Sequence, residues 1–239
     1  PSRGLGDVYK RQVLQFVQAG QEGGNAFADV ISGKVTPSGK LADTWALDYK
    51  NYPSSDTFSF KNGDVNTEKY QEGIYVGYRY FDTFDVPVRY PFGYGLSYTD
   101  FSVNTKGVEA VNTESGKPEI AVTVEVTNTG DTYCGKEVVQ IYVSCPQGKL
   151  AKEYRRLAGF AKTEELKPQE SCSMTITFPV YQLASFDEEK AAWILEGGTY
   201  GIWVGSSIQD AEPAGSLCLD KDAVLVQCEH ICPLKEELK

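Results

Sequence analysis

The sequence predicts a mainly β protein: an antiparallel β-sandwich preceded by a short α/β remnant. Three observations carry this reading. Four segments in the second half alternate apolar and polar residues with period two, and turn-forming runs separate them. Ahead of them, a strand–helix–strand rhythm gives way to aromatic, glycine-rich text.

Residues 1–12, PSRGLGDVYKRQ, have no periodicity and no continuity with the rest of the chain, so they read as a non-native, linker-derived segment. VLQFVQAG, from Val13 to Gly20, reads as a short β segment running into a glycine-rich turn. In NAFADVISG, Ala26, Phe27, Val30 and Ile31 fall at helical spacing, and Gly33 suits a C-terminal cap. TPSG places Pro37 and Gly39 at corners that a type I turn prefers, and LADTWA reads as another short strand. Strand, helix, turn, strand is the rhythm of an α/β layer, here only its last repeat. From Leu47 to Phe92 the periodicity is lost in a long surface segment rich in Tyr, Pro, Gly and Asp.

After Tyr98 the pattern is regular. EIAVTVEVTNTG sets Ile120, Val122, Val124 and Val126 on one face and Thr123, Glu125 and Thr127 on the other. Val139, Ile141 and Val143 repeat the alternation, then Cys172, Met174, Ile176 and Phe178, then Tyr200, Ile202 and Val204. With NTGDT and KPQES as turns, these segments predict a sandwich of roughly 100 residues or a little more.

The 239 residues carry 33 acidic and 23 basic side chains, a net charge of −10. Phosphate backbones and anionic lipid would repel such a surface, so nucleic acid and membrane are poor partners. No apolar run approaches the roughly 20 residues that cross a bilayer, and the N-terminus lacks the apolar segment of a signal peptide. Six cysteines are scattered through strand-like text without a compact framework, which favours reduced thiols and a cytoplasmic setting.

QEGIYVGYRYFDT, with RYPFGYGLSYTDF soon after, could be a sugar-binding face or the seam between two domains. As a face, Tyr and Phe would stack on pyranose C–H groups while Glu72 or Arg79 bonded hydroxyls. As a seam, Tyr75, Tyr78, Tyr80 and Phe81 would bury area between the α/β remnant and the sandwich. The segment lies where the two parts must join, so the seam reading leads. GQEGG lacks the Lys-Ser/Thr of a phosphate loop, and Glu22 reads as a helix-start residue with a sugar-site role in reserve. Cys228, His230 and Cys232 lack the spacing and second pair of a zinc site. Trp193 and Trp203, in strand text, read as packing, and FDEEK as a solvated turn. No metal or cofactor is expected.

GQEGGNAFADVISGKVTPSGKLADTW, YQEGIYVGYRYFD and YPFGYGLSYTDF together resemble the C-terminal portion of family 3 glycoside hydrolases, the β-glucosidase-like enzymes. VEVTNTGDTYCGKEVVQIYV and LKPQES are similar to their fibronectin type III-like domain, with Gln169 in place of the glycine usual in that turn. The resemblance implies retaining hydrolysis of a β-linked glycoside by two carboxylates about 5 Å apart. It puts the nucleophile on a TIM-like barrel and the acid/base upstream of the matching segment. Ser55-Asp56-Thr57 echoes a nucleophile motif, but it follows NYPS instead of an apolar strand and lacks the aromatic neighbour.

No catalytic residue is therefore assigned; Glu22, Glu72 and Arg79 remain substrate-binding candidates. The expected organisation is an α/β end and aromatic interdomain segment over 13–97, a fibronectin type III-like domain over 98–227, and a linker over 228–239. Both ends read as cut, with a missing barrel as partner. DTWALDYKNYPSSDTFSFKNGD and CEHICPLKEEL further resemble a subgroup in which the barrel follows the sandwich. A free-standing carbohydrate-binding or adhesion module is the alternative.

Overall fold

The computed structural model describes residues 13–59, 61, 63–112 and 117–231. One four-stranded antiparallel sheet runs in the order β11 (Glu212–Leu219), β10 (Gly198–Gly205), β5 (Val138–Ser144), β6 (Arg156–Lys162). A three-stranded sheet, β3 (Phe101–Asn112), β4 (Pro118–Asn128), β7 (Ser171–Pro179), faces it. At the margins β3 approaches β11 and β6 approaches β7. A second three-stranded sheet, β12 (Ala223–Gln227), β9 (Ala192–Leu195), β8 (Ser185–Asp187), packs Leu195, Trp193, Ala223 and Leu225 against the same core.

Period two explains this core. Ile120, Val122, Val124 and Val126 point inward from β4, paired in register with Phe178, Ile176, Met174 and Cys172 of β7. Val139, Ile141 and Val143 of β5 meet them with Tyr200, Ile202 and Val204 of β10. All four predicted strands are present, and β10 covers the whole GTYGIWVG segment.

Two devices fix the turns. Asn128, with no exposed surface, accepts from Thr99 Oγ1 at 2.6 Å and from Gly130 N at 3.1 Å. Its Nδ2 donates to Tyr133 O at 2.9 Å and Leu166 O at 3.0 Å, so one amide ties four loop positions. Gln169 adopts φ +63, the left-handed region that glycine enters freely. Its Nε2 offsets the strain by donating to Thr129 O, Gly130 O and Asp131 Oδ1 at 3.1 to 3.2 Å.

The region ahead of the sandwich departs from the sequence reading. Val13 to Gly20 form no strand. Helix α1 (Gly23–Ile31) forms as expected, and Gly33 at φ +75 donates to Val30 O. Its apolar residues find no cover, however: Ile31 is 62% exposed, and Phe27 meets only the Phe16 ring at 5.2 Å among aromatics. No turn forms at Thr36 to Gly39. Instead Thr36 Oγ1 donates to Cys134 O and Lys162 Nζ to Ser38 O, which lays this stretch along the sandwich. The LADTWA strand shrinks to β1 (Trp45–Ala46), which pairs antiparallel with β2 (Val88–Tyr90). Local propensity lost here to long-range pairing and to contact with the sandwich.

Asn128→Ala leaves Thr99, Gly130, Tyr133 and Leu166 without their shared partner. At about 1–3 kcal/mol for each buried group left unpaired, it is expected to cost upwards of about 3 kcal/mol, read as the shift of the chemical denaturation midpoint at unchanged slope.

Candidate functional site

On an isolated sandwich the outward side chains of β5 would face water. Here Gln140 and Tyr142, both on that outer face, are buried, Tyr142 completely. The cover is the aromatic segment. Tyr78, Phe92, Leu157 and Trp203 pack around Tyr142, Ile208 and Ala211 in a second, smaller core.

Its backbone explains how the cover is aimed. Gly77, at φ +59, turns the chain into the short helix α2 (Tyr78–Thr83). One helical turn points Tyr78, Phe81 and Asp82 toward the seam and its flanks. The Tyr78 ring lies 4.7 Å from Phe92 and 6.0 Å from Tyr142, and its hydroxyl accepts from Leu157 N at 2.8 Å. Phe81, 4% exposed, sits edge-on to Tyr52 at 5.5 Å. Tyr75 packs on Phe84 at 5.0 Å, and Tyr80 touches both Phe81 and Phe84.

The return path needs a second glycine. Gly93 has φ +83, and a Cβ there would stand 2.5 Å from Gln140 Nε2. Its N–H donates to Leu41 O while Ile208 N donates to Phe92 O, stitching the segment to both sides. Tyr142 Oη donates to Gln140 Oε1 at 2.5 Å, and Gln140 Nε2 donates to Ser206 O at 2.6 Å. Burial pushes the Tyr142 phenol well up, with nearby Tyr78 adding to the effect, so it stays protonated and donating.

Ion pairs latch the edge. Arg155 grips Asp82 with two bonds, Nη2 to Oδ1 at 2.5 Å and Nε to Oδ2 at 3.0 Å. The guanidinium also lies over the Tyr154 and Trp203 rings at 5.2 and 5.0 Å. Tyr154 N donates to Thr83 Oγ1 at 2.9 Å. Glu153, nearly sealed from water, pairs with Arg156 at 2.9 Å and Arg79 at 3.6 Å. Lys40 reaches Glu137 at 2.8 Å. Beneath, Lys152 and Glu196 form a buried pair, and Glu196 also accepts from the backbone N–H groups of Lys149 and Leu150.

The three candidate sugar contacts have separate partners in the structure. Arg79 belongs to the latch through Glu153. Glu72, half-buried, lies before the turn into α2, where its carbonyl accepts from Tyr75 N. Glu22 stands at the N-cap of α1, exposed; its carboxylate takes a bond from the Asn25 side chain and none from the helix backbone. Asp56 is exposed on a turn and Ser55 is buried beside Lys50 O. Cys228 donates its backbone N–H to Ala191 O and His230 is exposed, while Cys232 lies outside the described residues. Among the described residues no group of three or more His, Cys, Asp or Glu is placed to hold a metal. Trp203 is part of the seam, and Trp193 packs between Tyr181 and Phe186 at the core margin. Asp82, Arg155 and Glu196 carried no sequence signal beyond the charge cluster KEYRR, because each finds its partner far along the chain, as Glu153 finds Arg79 beside its near neighbour Arg156.

The sequence model of the Glycosyl hydrolase family 3 C-terminal domain matches residues 10–78. That of the Fibronectin type III-like domain matches 137–208. A beta-glucosidase of Ruminococcus albus is 40% identical over 234 residues, 95% of this chain and 24% of the relative. Beta-glucosidase A of Butyrivibrio fibrisolvens is 45% identical over 217 residues, 83% of this chain and 25% of the relative. The crystal structure of a beta-glucosidase from Paenibacillus barengoltzii superposes at TM-score 0.81 with 43% identity, over 87% of this chain and 23% of that one. Along most of its length the chain is similar to these beta-glucosidases, consistent with part of a family 3 glycoside hydrolase. It spans about a quarter of the length of the curated relatives it matches.

Two outcomes test the seam. Tyr78→Ala removes a ring packed on two others and is expected to destabilise by about 3–5 kcal/mol, as aromatic truncation in a core does. Tyr78→Phe, which only strands the Leu157 N–H, should cost about 1–3 kcal/mol; thermal or chemical unfolding separates them. Burial alone would raise the Glu196 carboxyl, but Lys152 and two backbone N–H groups outweigh it and hold the group below its ordinary 4.5. A depressed carboxylate contributes stability above its unfolded pKa and loses it as pH falls through the folded value. Glu196→Gln is therefore expected to be less stable at neutral pH and to show a flatter loss of stability below about pH 4.5.

Proposed function

We propose that this chain is the architectural part of a β-glucosidase-like retaining glycosidase, joining the end of an α/β sandwich (13–97) to a fibronectin type III-like domain (98–227). Residues 1–12 are foreign to the fold in this reading, and 228–239 lead toward a TIM-like barrel of the same protein. The whole enzyme hydrolyses a β-linked glycoside or oligosaccharide. The two reacting carboxylates come from outside this chain, and Glu22, Glu72 and Arg79 do no more than shape its surroundings.

The buried seam carries this reading. A module that bound sugar through Tyr75, Tyr78 and Tyr80 would present those rings to solvent. Instead Tyr78 is locked against Phe92, Tyr142 and Leu157, and Arg79 is held by Glu153. Rigid coupling of two layers suits a scaffold that must hold distant carboxylates toward one pocket. The names of the relatives support the reaction class. Among the described residues no helix is long and apolar enough to cross a membrane. The five described cysteines are unbridged, which supports a cytoplasmic setting.

The purified 239-residue chain is expected to leave p-nitrophenyl β-D-glucoside unhydrolysed above the buffer rate. Enzymatic turnover by this chain alone would overturn the assignment.

A further inference from the structure

One margin of the second three-stranded sheet is bare. β12 pairs with β9 on one side and, among the described residues, with no strand on the other. Its sequence, AVLVQ, holds no charge, and its outward side chains are apolar: Val224 is 58% exposed and Val226 41%. They continue a row across the sheet, since Phe186 stands opposite Trp193 and Trp193 opposite Val226. Exposed Tyr181 packs on the same Trp193 at 5.7 Å. An uncharged edge with unpaired N–H and C=O groups and apolar side chains is a template for another strand.

The flanking sequence says which strand fits. DKDAVLVQCEH, from Asp220 to His230, is complementary to itself when read antiparallel about Leu225. Val224 then falls opposite Val226, and Ala223 opposite Gln227. Beyond the strand ends Lys221 falls opposite Glu229, and Asp220 opposite His230. Two-fold symmetry makes each of these pairings twice. A slip of one residue either way sets Glu229 against Asp220 or Asp222, and an outward valine against the inward Leu225. Charge and pleat therefore select the same register. Lys221 and Glu229 are exposed and, among the described residues, form no ion pair within their own chain. β12 is also irregular between Val224 and Val226, a feature that turns away a regular strand. About Leu225, a second copy brings its own irregularity to the same place.

We propose that β12 pairs with β12 of a second copy of this chain, joining two three-stranded sheets into one antiparallel six-stranded sheet. The apolar row runs on across the join, with the copy's Val224 as its next member. This edge is built entirely by the described residues and does not depend on the reaction of the whole enzyme.

Sedimentation equilibrium of the 239-residue chain over a concentration series at low salt is expected to show a reversible monomer–dimer equilibrium. The dimer should be weak, because so short an edge lies at the small end of interface sizes. Lys221→Glu and, separately, Glu229→Lys each set like charges opposite one another at two places, and should raise the dissociation constant about tenfold or more. Combining the two restores opposite charges and should return the constant to within about threefold of the unaltered chain's. Both positions are exposed and outside the strand, and either single variant carries the test if the other fails to fold. A chain that stays monomeric at every concentration, a dimer indifferent to the single reversals, or a double variant as weak as the singles would each overturn the proposal.

Discussion

The outer face of the four-stranded sheet must be covered. β5 carries apolar residues inward and, with Gln140 and Tyr142, large groups outward, so the strand is buried on both faces. A strand buried on both sides needs a third layer. The aromatic segment supplies it, and its path dictates the glycines at 77 and 93, the short helix between β1 and β2, and the closure of the 206–211 loop onto Phe92.

Charge then fixes where that layer sits. Apolar rings slide over one another at little cost, whereas a two-bonded Arg155–Asp82 pair permits one position. Buried pairs of this kind add little net stability, since desolvation consumes most of the attraction, but leaving one partner alone is costly. The Lys152–Glu196 pair does the same for the loop that presents Glu153 and Arg155. It ties that loop to the end of β9 instead of leaving it on a mobile turn. Aromatic area provides adhesion; the ion pairs provide register.

Part of the N-terminal region remains apolar and open. Val13, Val17 and Ile31 are more than half exposed, and α1 buries none of its residues. Under the proposed architecture this is the side that the rest of the α/β layer would cover. The sandwich does not need that cover, since its core closes within the chain.

Alternation by itself determined the sandwich. A period-two pattern has one solution once one face must be dry, and Val122, Val124, Ile141 and Ile202 are buried as their spacing requires. The motif text placed the seam, and the helical spacing of Ala26 to Ile31 placed α1. Only the tertiary structure decided that Val13 to Gly20 form no strand, and that β1 shrinks to two residues paired with a strand more than forty residues away. It also decided which charges latch the seam, among them the pairing of Arg79 with Glu153. The physical reason is range: periodicity records which face of an element is dry, while an ion pair or a covered hydroxyl depends on a partner that only folding brings near.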